Sequence, residues 1–134
     1  MLNIRLCRLL FMTDVIAILD RMRASSGKAD TIGLSNDVVL DFASRDNTLI
    51  QAIEEANIKQ KEFSSEHLMM DEADLVSHLQ EDFVNFYAPA TINPYVAVAA
   101  RGPWIVTSHG AVVHDNGGYG MLGGGHGPED IIDA

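Results

Sequence analysis

Apolar residues recur at helical spacing in three stretches of the chain and give way to short β-like runs broken by glycine near its end. Val15, Ile18, Leu19 and Met22 fall on one face of a helix predicted over 14–23, with Thr13 at the N-cap position. Asp14 at its start and Arg21 with Arg23 at its end complement the helix dipole, and Ser25-Ser26-Gly27 ends it. A second helix is predicted over 47–61, with Leu49, Ile50, Ile53 and Ala56 along one side. The third, over 72–87, carries the widest stripe: Leu75, Val76, Leu79, Phe83 and Phe86. Asp71 is its expected N-cap, Asp74 completes an imperfect capping box, and Pro89 is its stop. Such a stripe reads as core or interface packing, with Glu72, Asp74, Glu81 and Asp82 as a solvated face. The run Val38-Val39-Leu40 fits either a strand or a buried turn.

Towards the end the pattern changes. Trp104-Ile105-Val106-Thr107 and Ala111-Val112-Val113 are rich in the aromatic and β-branched side chains that suit a pleated surface. His109-Gly110 between them fits a tight hairpin turn, because glycine accepts positive φ and histidine tolerates it better than most residues. Gly102-Pro103 marks a loop boundary ahead of the first run. The chain thus reads as α+β: N-terminal helices over 1–88, then a two-stranded antiparallel ribbon and a glycine-rich loop over 89–134.

Seven glycines lie between Gly117 and Gly127, interleaved with Tyr119, Met121 and Leu122. Glycine lets backbone approach another surface closely. The interleaved large side chains argue for a packed loop over a linker, which would be padded with serine and other polar residues. Gly118-Tyr119-Gly120-Met121-Leu122-Gly123 satisfies G-x-G-x-x-G literally. A run this rich in glycine meets that pattern by chance, however. The acidic residue that dinucleotide binding places about 20 residues further on has no counterpart within the 134 residues, so a dinucleotide fold is not expected.

The stretch from Trp104 to Pro128 resembles the N-terminal ribbon of class III aminotransferases, pyridoxal-phosphate enzymes of fold type I. The resemblance rests on Ile105-Val106, the His109-Gly110 turn, the second strand from Val112 closing on Asp115, Tyr119, and Gly125-His126 followed by Pro128. Asn93-Pro94-Tyr95 and Gly102-Pro103-Trp104 are similar to the lysine-aminotransferase-like branch, so the likeness covers about residues 90–134. It implies that the chain is an incomplete, N-terminal portion of a fold type I transferase. The complete enzyme would use pyridoxal 5'-phosphate to move an amino group between an amine or amino acid and a 2-oxo acid, as a homodimer. It further implies that Tyr119, with Gly120 beside it, contacts substrate, and that Asp115 and His126 are structural anchors. The family's Schiff-base lysine, its aspartate at the pyridine nitrogen and its phosphate-binding loop have no counterparts here. No catalytic residue and no bound cofactor are therefore expected of these 134 residues alone.

Composition narrows the alternatives. With 47% hydrophobic residues the chain can bury a core. The formal net charge of −10 is uneven. Residues 1–28 carry five Lys/Arg against two Asp, which leaves four basic and seventeen acidic residues in the remainder. An acidic body repels phosphate backbones, so nucleic acid is not an expected partner. Leu9 to Met12 is too short an apolar run to span a membrane, and a soluble, cytoplasmic protein is expected. The single Cys7 allows neither an internal disulfide nor a multi-cysteine metal site.

Other chemistry finds little support. A Schiff-base lysine needs a desolvated pocket that lowers its pKa. Lys28 lies in a predicted loop, and Lys59 and Lys61 at a solvated helix end. Glu54 and Glu55 are adjacent and diverge on a helix. His109, His114 and His126 with Asp115 occupy a turn, a strand and a loop end that need not converge on a metal. If the ribbon covers the cleft of another domain, Trp104, Ile105 and Val113 should lie bare and the chain should aggregate. The second reading is a non-catalytic acidic module that docks on a larger partner through its third helix and loop.

Overall fold

Helices come first and a small antiparallel sheet follows in the computed structural model, which describes residues 14–84, 86, 88–115 and 125–134. Helix α1 spans 14–24. It is followed by α2 (Asn36–Ala43), α3 (Asn47–Gln60), α4 (Ser65–Leu68) and α5 (Glu72–Gln80). After a 3-10 turn at Pro89–Thr91 come β1 (Ala97–Arg101), β2 (Trp104–Thr107) and β3 (Val112–His114), then α6 (Glu129–Ile132). The α+β class is as expected.

The first and second predicted helices form where the periodicity places them. Val15, Leu19 and Met22 of α1 are buried, as are Leu49, Ala52, Ile53 and Ala56 of α3. Asp46 caps α3 by accepting the Thr48 amide at 2.9 Å. Val38-Val39-Leu40 is neither strand nor turn but lies within α2. The β-branched pair yields to tertiary packing, because Val39 and Ala43, four residues apart, bury one helical face.

The third predicted helix is shorter than its stripe. α5 ends at Gln80, seven residues before Tyr87. Leu75 is buried, but Phe83 and Phe86 are 72% and 91% exposed. With nothing to pack those rings, and with Glu81 and Asp82 facing the negative end of the dipole, continuing the helix has no compensation. Asp71 holds the N-cap position without capping. Its carboxylate instead accepts the Lys28 amide at 3.1 Å, so the capping box does not form.

The expected two-stranded ribbon is a three-stranded sheet in the order β1-β2-β3. Arg101 pairs with Trp104, so Gly102-Pro103 is the two-residue loop of a hairpin rather than a boundary. Gly102 has φ +53 and the Pro103 ring fixes a negative φ, the combination of a type II′ turn, whose twist matches the flanking strands. In the second hairpin only Gly110 has positive φ; His109 does not.

All four residues of β2 are buried. Trp104, Val106 and Val112 join Ala99 and the buried faces of α1, α2 and α3 in one core cluster, drawn from both sides of residue 88. Trp104 stacks edge-on against Phe42 at 5.0 Å and donates its indole N–H to Asp46 Oδ2 at 2.7 Å. Burying an indole removes roughly 150–250 Å² from water, at most on the order of 4–6 kcal/mol, and its one polar atom is satisfied. The exposed flank of β3 is bonded by the Leu34 amide, which donates to Val112 O at 2.8 Å. The expectation that Trp104 and Ile105 lie bare is therefore corrected: the chain's own helices and strands cover them, and Val113 is half-buried.

Candidate functional site at the base of the glycine-rich segment

The β2–β3 hairpin has two ends with different surroundings. Its tip, Ser108-His109-Gly110, points inward. Ser108 and His109 are buried, and contacts from separate parts of the chain hold the tip. The Ser108 amide donates to Val96 O at 2.9 Å. Gln60 Nε2, itself buried, donates to Ser108 O at 2.6 Å and Met22 O at 3.0 Å. Arg23 Nε donates to Gly110 O at 3.1 Å.

His109 Nε2 lies 2.9 Å from Met70 O and Nδ1 lies 3.0 Å from Ser108 Oγ. A carbonyl can only accept, so Nε2 carries the proton, and in the neutral ring Nδ1 accepts from the Ser108 hydroxyl. This order of contacts is that of a nucleophile, a base and an orienting group. With both side chains sealed from solvent, it serves here to lock the tip.

The opposite end of the hairpin faces outward and holds the glycine-rich segment by its base. β3 runs out at Asp115, whose amide donates to Pro103 O at 2.7 Å. The chain returns at His126, which pairs with Gly102 through two backbone hydrogen bonds, each 2.8 Å. His126 Nε2 lies 2.9 Å from Asp115 Oδ2, joining the outgoing and returning strands directly. Both ends of the segment are thus tied to the Gly102-Pro103 turn. Asp115 and His126, matched by the resemblance as anchors, meet here. Tyr119 and Gly120, the expected substrate-contacting positions, fall outside the described residues.

The remaining candidates scatter. His109 is in the sealed tip. His114 packs against Trp104 at 4.7 Å and Phe42 at 6.4 Å, and His126 is bonded to Asp115. Among the described residues no group of three His, Cys, Asp or Glu is arranged to hold a metal. Glu55 accepts from Arg101 Nε at 2.8 Å, while Glu54 is exposed. Cys7 lies outside the described residues.

The lysines do not fit covalent attachment of pyridoxal phosphate. All three are exposed. Lys28 is bonded to Asp30 at 2.8 Å, and that hydrogen bond with the neighbouring charge holds its ammonium above the ordinary value. A Schiff-base lysine needs the opposite shift. Lys59 is paired with Glu62 at 3.2 Å.

Glu72 went unrecognised in the sequence, where it reads as part of a solvated face. It is buried, and its Oε2 accepts the amides of Asp30 and Thr31 at 2.9 and 2.7 Å. Together with Asp71 it staples residues 28–31 to the start of α5. Its Oε1 is buried without a hydrogen-bond partner. No sequence signal separates it from its solvated neighbours.

No helix among the described residues is long and apolar enough to cross a membrane. Comparison with protein-family models, with curated proteins and with solved structures returns no match to this chain.

Proposed function

We propose that this chain is the N-terminal portion of a class III aminotransferase-like protein of fold type I. In the complete enzyme, pyridoxal phosphate would supply the electron sink for amino-group transfer between an amine or amino acid and a 2-oxo acid. The single observation that carries the reading is the clasp at the base of the glycine-rich segment. Asp115, His126 and Gly102, residues of the resembling motif, meet around one hairpin turn. That turn and its two anchors lie at the end of the hairpin opposite the buried tip. In this reading Tyr119, beside Gly120, shapes a substrate pocket that the rest of the enzyme completes, the helices lie near a homodimer interface, and the protein works in the cytoplasm.

The test begins with the source DNA beyond codon 134. The proposal expects an open frame encoding a large domain with a cofactor-binding lysine. In the protein made from that frame, Tyr119→Ala should raise KM for the amino donor. In the 134-residue chain alone, borohydride treatment with pyridoxal phosphate should trap no stoichiometric adduct. A stop codon after Ala134, or a stoichiometric adduct on the short chain, overturns the proposal.

One observation favours a second reading, a non-catalytic acidic module that docks on a larger partner. Phe83, Val84 and Phe86 are all exposed in the stretch that follows α5. A true stop codon together with a stable monomer in solution would favour it.

A further inference from the structure

The basic residues of an acidic chain are expected to find carboxylates, and most do. Among the described residues Arg23 bonds Asp20, Lys28 bonds Asp30, Arg45 bonds Asp41, Lys59 bonds Glu62 and Arg101 bonds Glu55. Arg21 and Lys61 have no such partner, and both line one cleft of about 480 Å³ between the ends of α1 and α3 and the start of α4. Asn57 and Ser65, which line the same cleft, make no side-chain hydrogen bond within the described structure. Phe63 and Leu68 supply its apolar wall. A second cleft of about 310 Å³, beside His109, also contains an arginine. Arg23 there is already engaged by Gly110 O, Asp20 and Asn36.

We propose that the cleft between Arg21 and Lys61 binds a small organic anion, with its anionic oxygens on the two cations and its apolar part against Phe63 and Leu68. The volume falls within the range of about 300–1,000 Å³ usual for ligand sites, and the lining, polar but for Phe63 and Leu68, suits a ligand that is mostly anionic head group with a small apolar part. The surrounding charge argues the same way. In a chain of net charge −10, two cations that no carboxylate engages line one concavity, and the neighbouring Glu62 is already taken by Lys59. The floor is rigid, because buried Gln60 ties α3 to Met22 O and Ser108 O. The ligand class is a phosphate monoester or a carboxylate with a short aromatic or aliphatic group. The inference does not rest on the aminotransferase reading.

The experiment titrates the 134-residue chain with phenyl phosphate, phenylacetate and inorganic phosphate, following the amide resonances of Ser25, Asn57, Lys61 and Ser65 by NMR. Saturable shifts are expected with phenyl phosphate or phenylacetate, whichever binds tighter identifying the head group, and weaker binding with inorganic phosphate. Arg21→Gln and Lys61→Gln should each weaken binding roughly tenfold, the loss of one charge-assisted contact. Arg21→Lys should retain most of it, and Arg45→Gln, on a cation already paired elsewhere, should change nothing. Affinity should fall as salt rises. Absence of saturable shifts, or equal affinity in wild type and Arg21→Gln, would mean that the two cations only complement the ends of their helices, and would overturn the proposal.

Discussion

Replacing Gly125 by alanine tests the clasp at its tightest point. Gly125 has φ +68, and a Cβ there would lie 2.9 Å from the carbonyl carbon, Cα and oxygen of Gly102. An L-residue in the left-handed region costs about 1–2 kcal/mol, and forcing a methyl against backbone adds about 1–3 kcal/mol. The contacts at stake are two backbone hydrogen bonds between Gly102 and His126 and the part-exposed His126–Asp115 pair. Backbone bonds contribute about 0.5–1.5 kcal/mol each and an exposed pair about 0–1 kcal/mol. The strain, about 2–5 kcal/mol, is comparable to the roughly 1–4 kcal/mol that holds the clasp, but falls short of a domain's total stability. Gly125→Ala should open the base of the segment and leave the core folded.

Native-state hydrogen exchange reads this directly. In Gly125→Ala the amides of Gly102 and His126 should lose protection, while the Thr107 amide, bonded to Ala111 O inside the second hairpin, should keep it. Gly127→Ala is the control. Its φ is +56, but a Cβ there meets only Ala100 O at 3.7 Å, an ordinary contact, so conformational cost acts alone and protection should fall less. Wild-type protection at Gly102 and His126 in Gly125→Ala would refute the close approach of the two backbones, and the clasp with it.

Three further outcomes follow from the packing. Gln60→Leu leaves Ser108 O without its side-chain donor, while Met22 O keeps the Ser25 hydroxyl, so urea denaturation should show a loss of about 1–3 kcal/mol; a loss well under about 1 kcal/mol would mean that water replaces the amide. Asp46 is pushed up by desolvation, but hydrogen bonds from the Thr48 hydroxyl, the Trp104 indole and the Thr48 and Leu49 amides outweigh this and hold its carboxyl below the ordinary value. A depressed carboxyl stabilises the fold above the ordinary aspartate value and ceases to do so as pH falls through its folded value. Acid denaturation of Asp46→Asn should therefore depend less steeply on pH in that window, and an unchanged slope would discard this account. Phe86→Ser should leave stability within about 0.5 kcal/mol and reduce self-association in light scattering; a large loss of stability would place the ring in a core.

What the sequence disclosed tracks how local each determinant is. Periodicity located α1 and α3 because their apolar faces are buried by the same core that the spacing implies. It failed for α2, where Val39 and Ala43 gain burial that no β-branched propensity foretells. It also overran α5, because a stripe states which face is apolar and not whether anything covers it. β1 stayed hidden because Ala97-Val98-Ala99-Ala100 has little β propensity; its strand form comes from pairing with β2. Asp115 and His126 stood out in the sequence, but their bond to each other across the base of the segment did not. Nor did Glu72, the buried Gln60 and the two cleft cations: Glu72 and Gln60 acquire their roles from residues 38 to 48 positions away in sequence, and the cations from the absence of a nearby carboxylate.

The polarity of the sheet constrains any partner more than its composition does. Had the whole ribbon lain across another domain, Trp104 and Ile105 would be the contact surface; they are instead 1% and 8% exposed within this chain. The tip is equally unavailable, with Ser108 and His109 buried and Gly110 O bonded to Arg23. What remains outward is the end bearing Gly102-Pro103, Asp115 and His126. Two of those residues are joined by an imidazole–carboxylate contact and all are tied to one turn. Of the hairpin's two ends only this one is open to a second body, so substitutions that loosen the clasp should weaken any encounter there, while those at the buried tip act through folding alone.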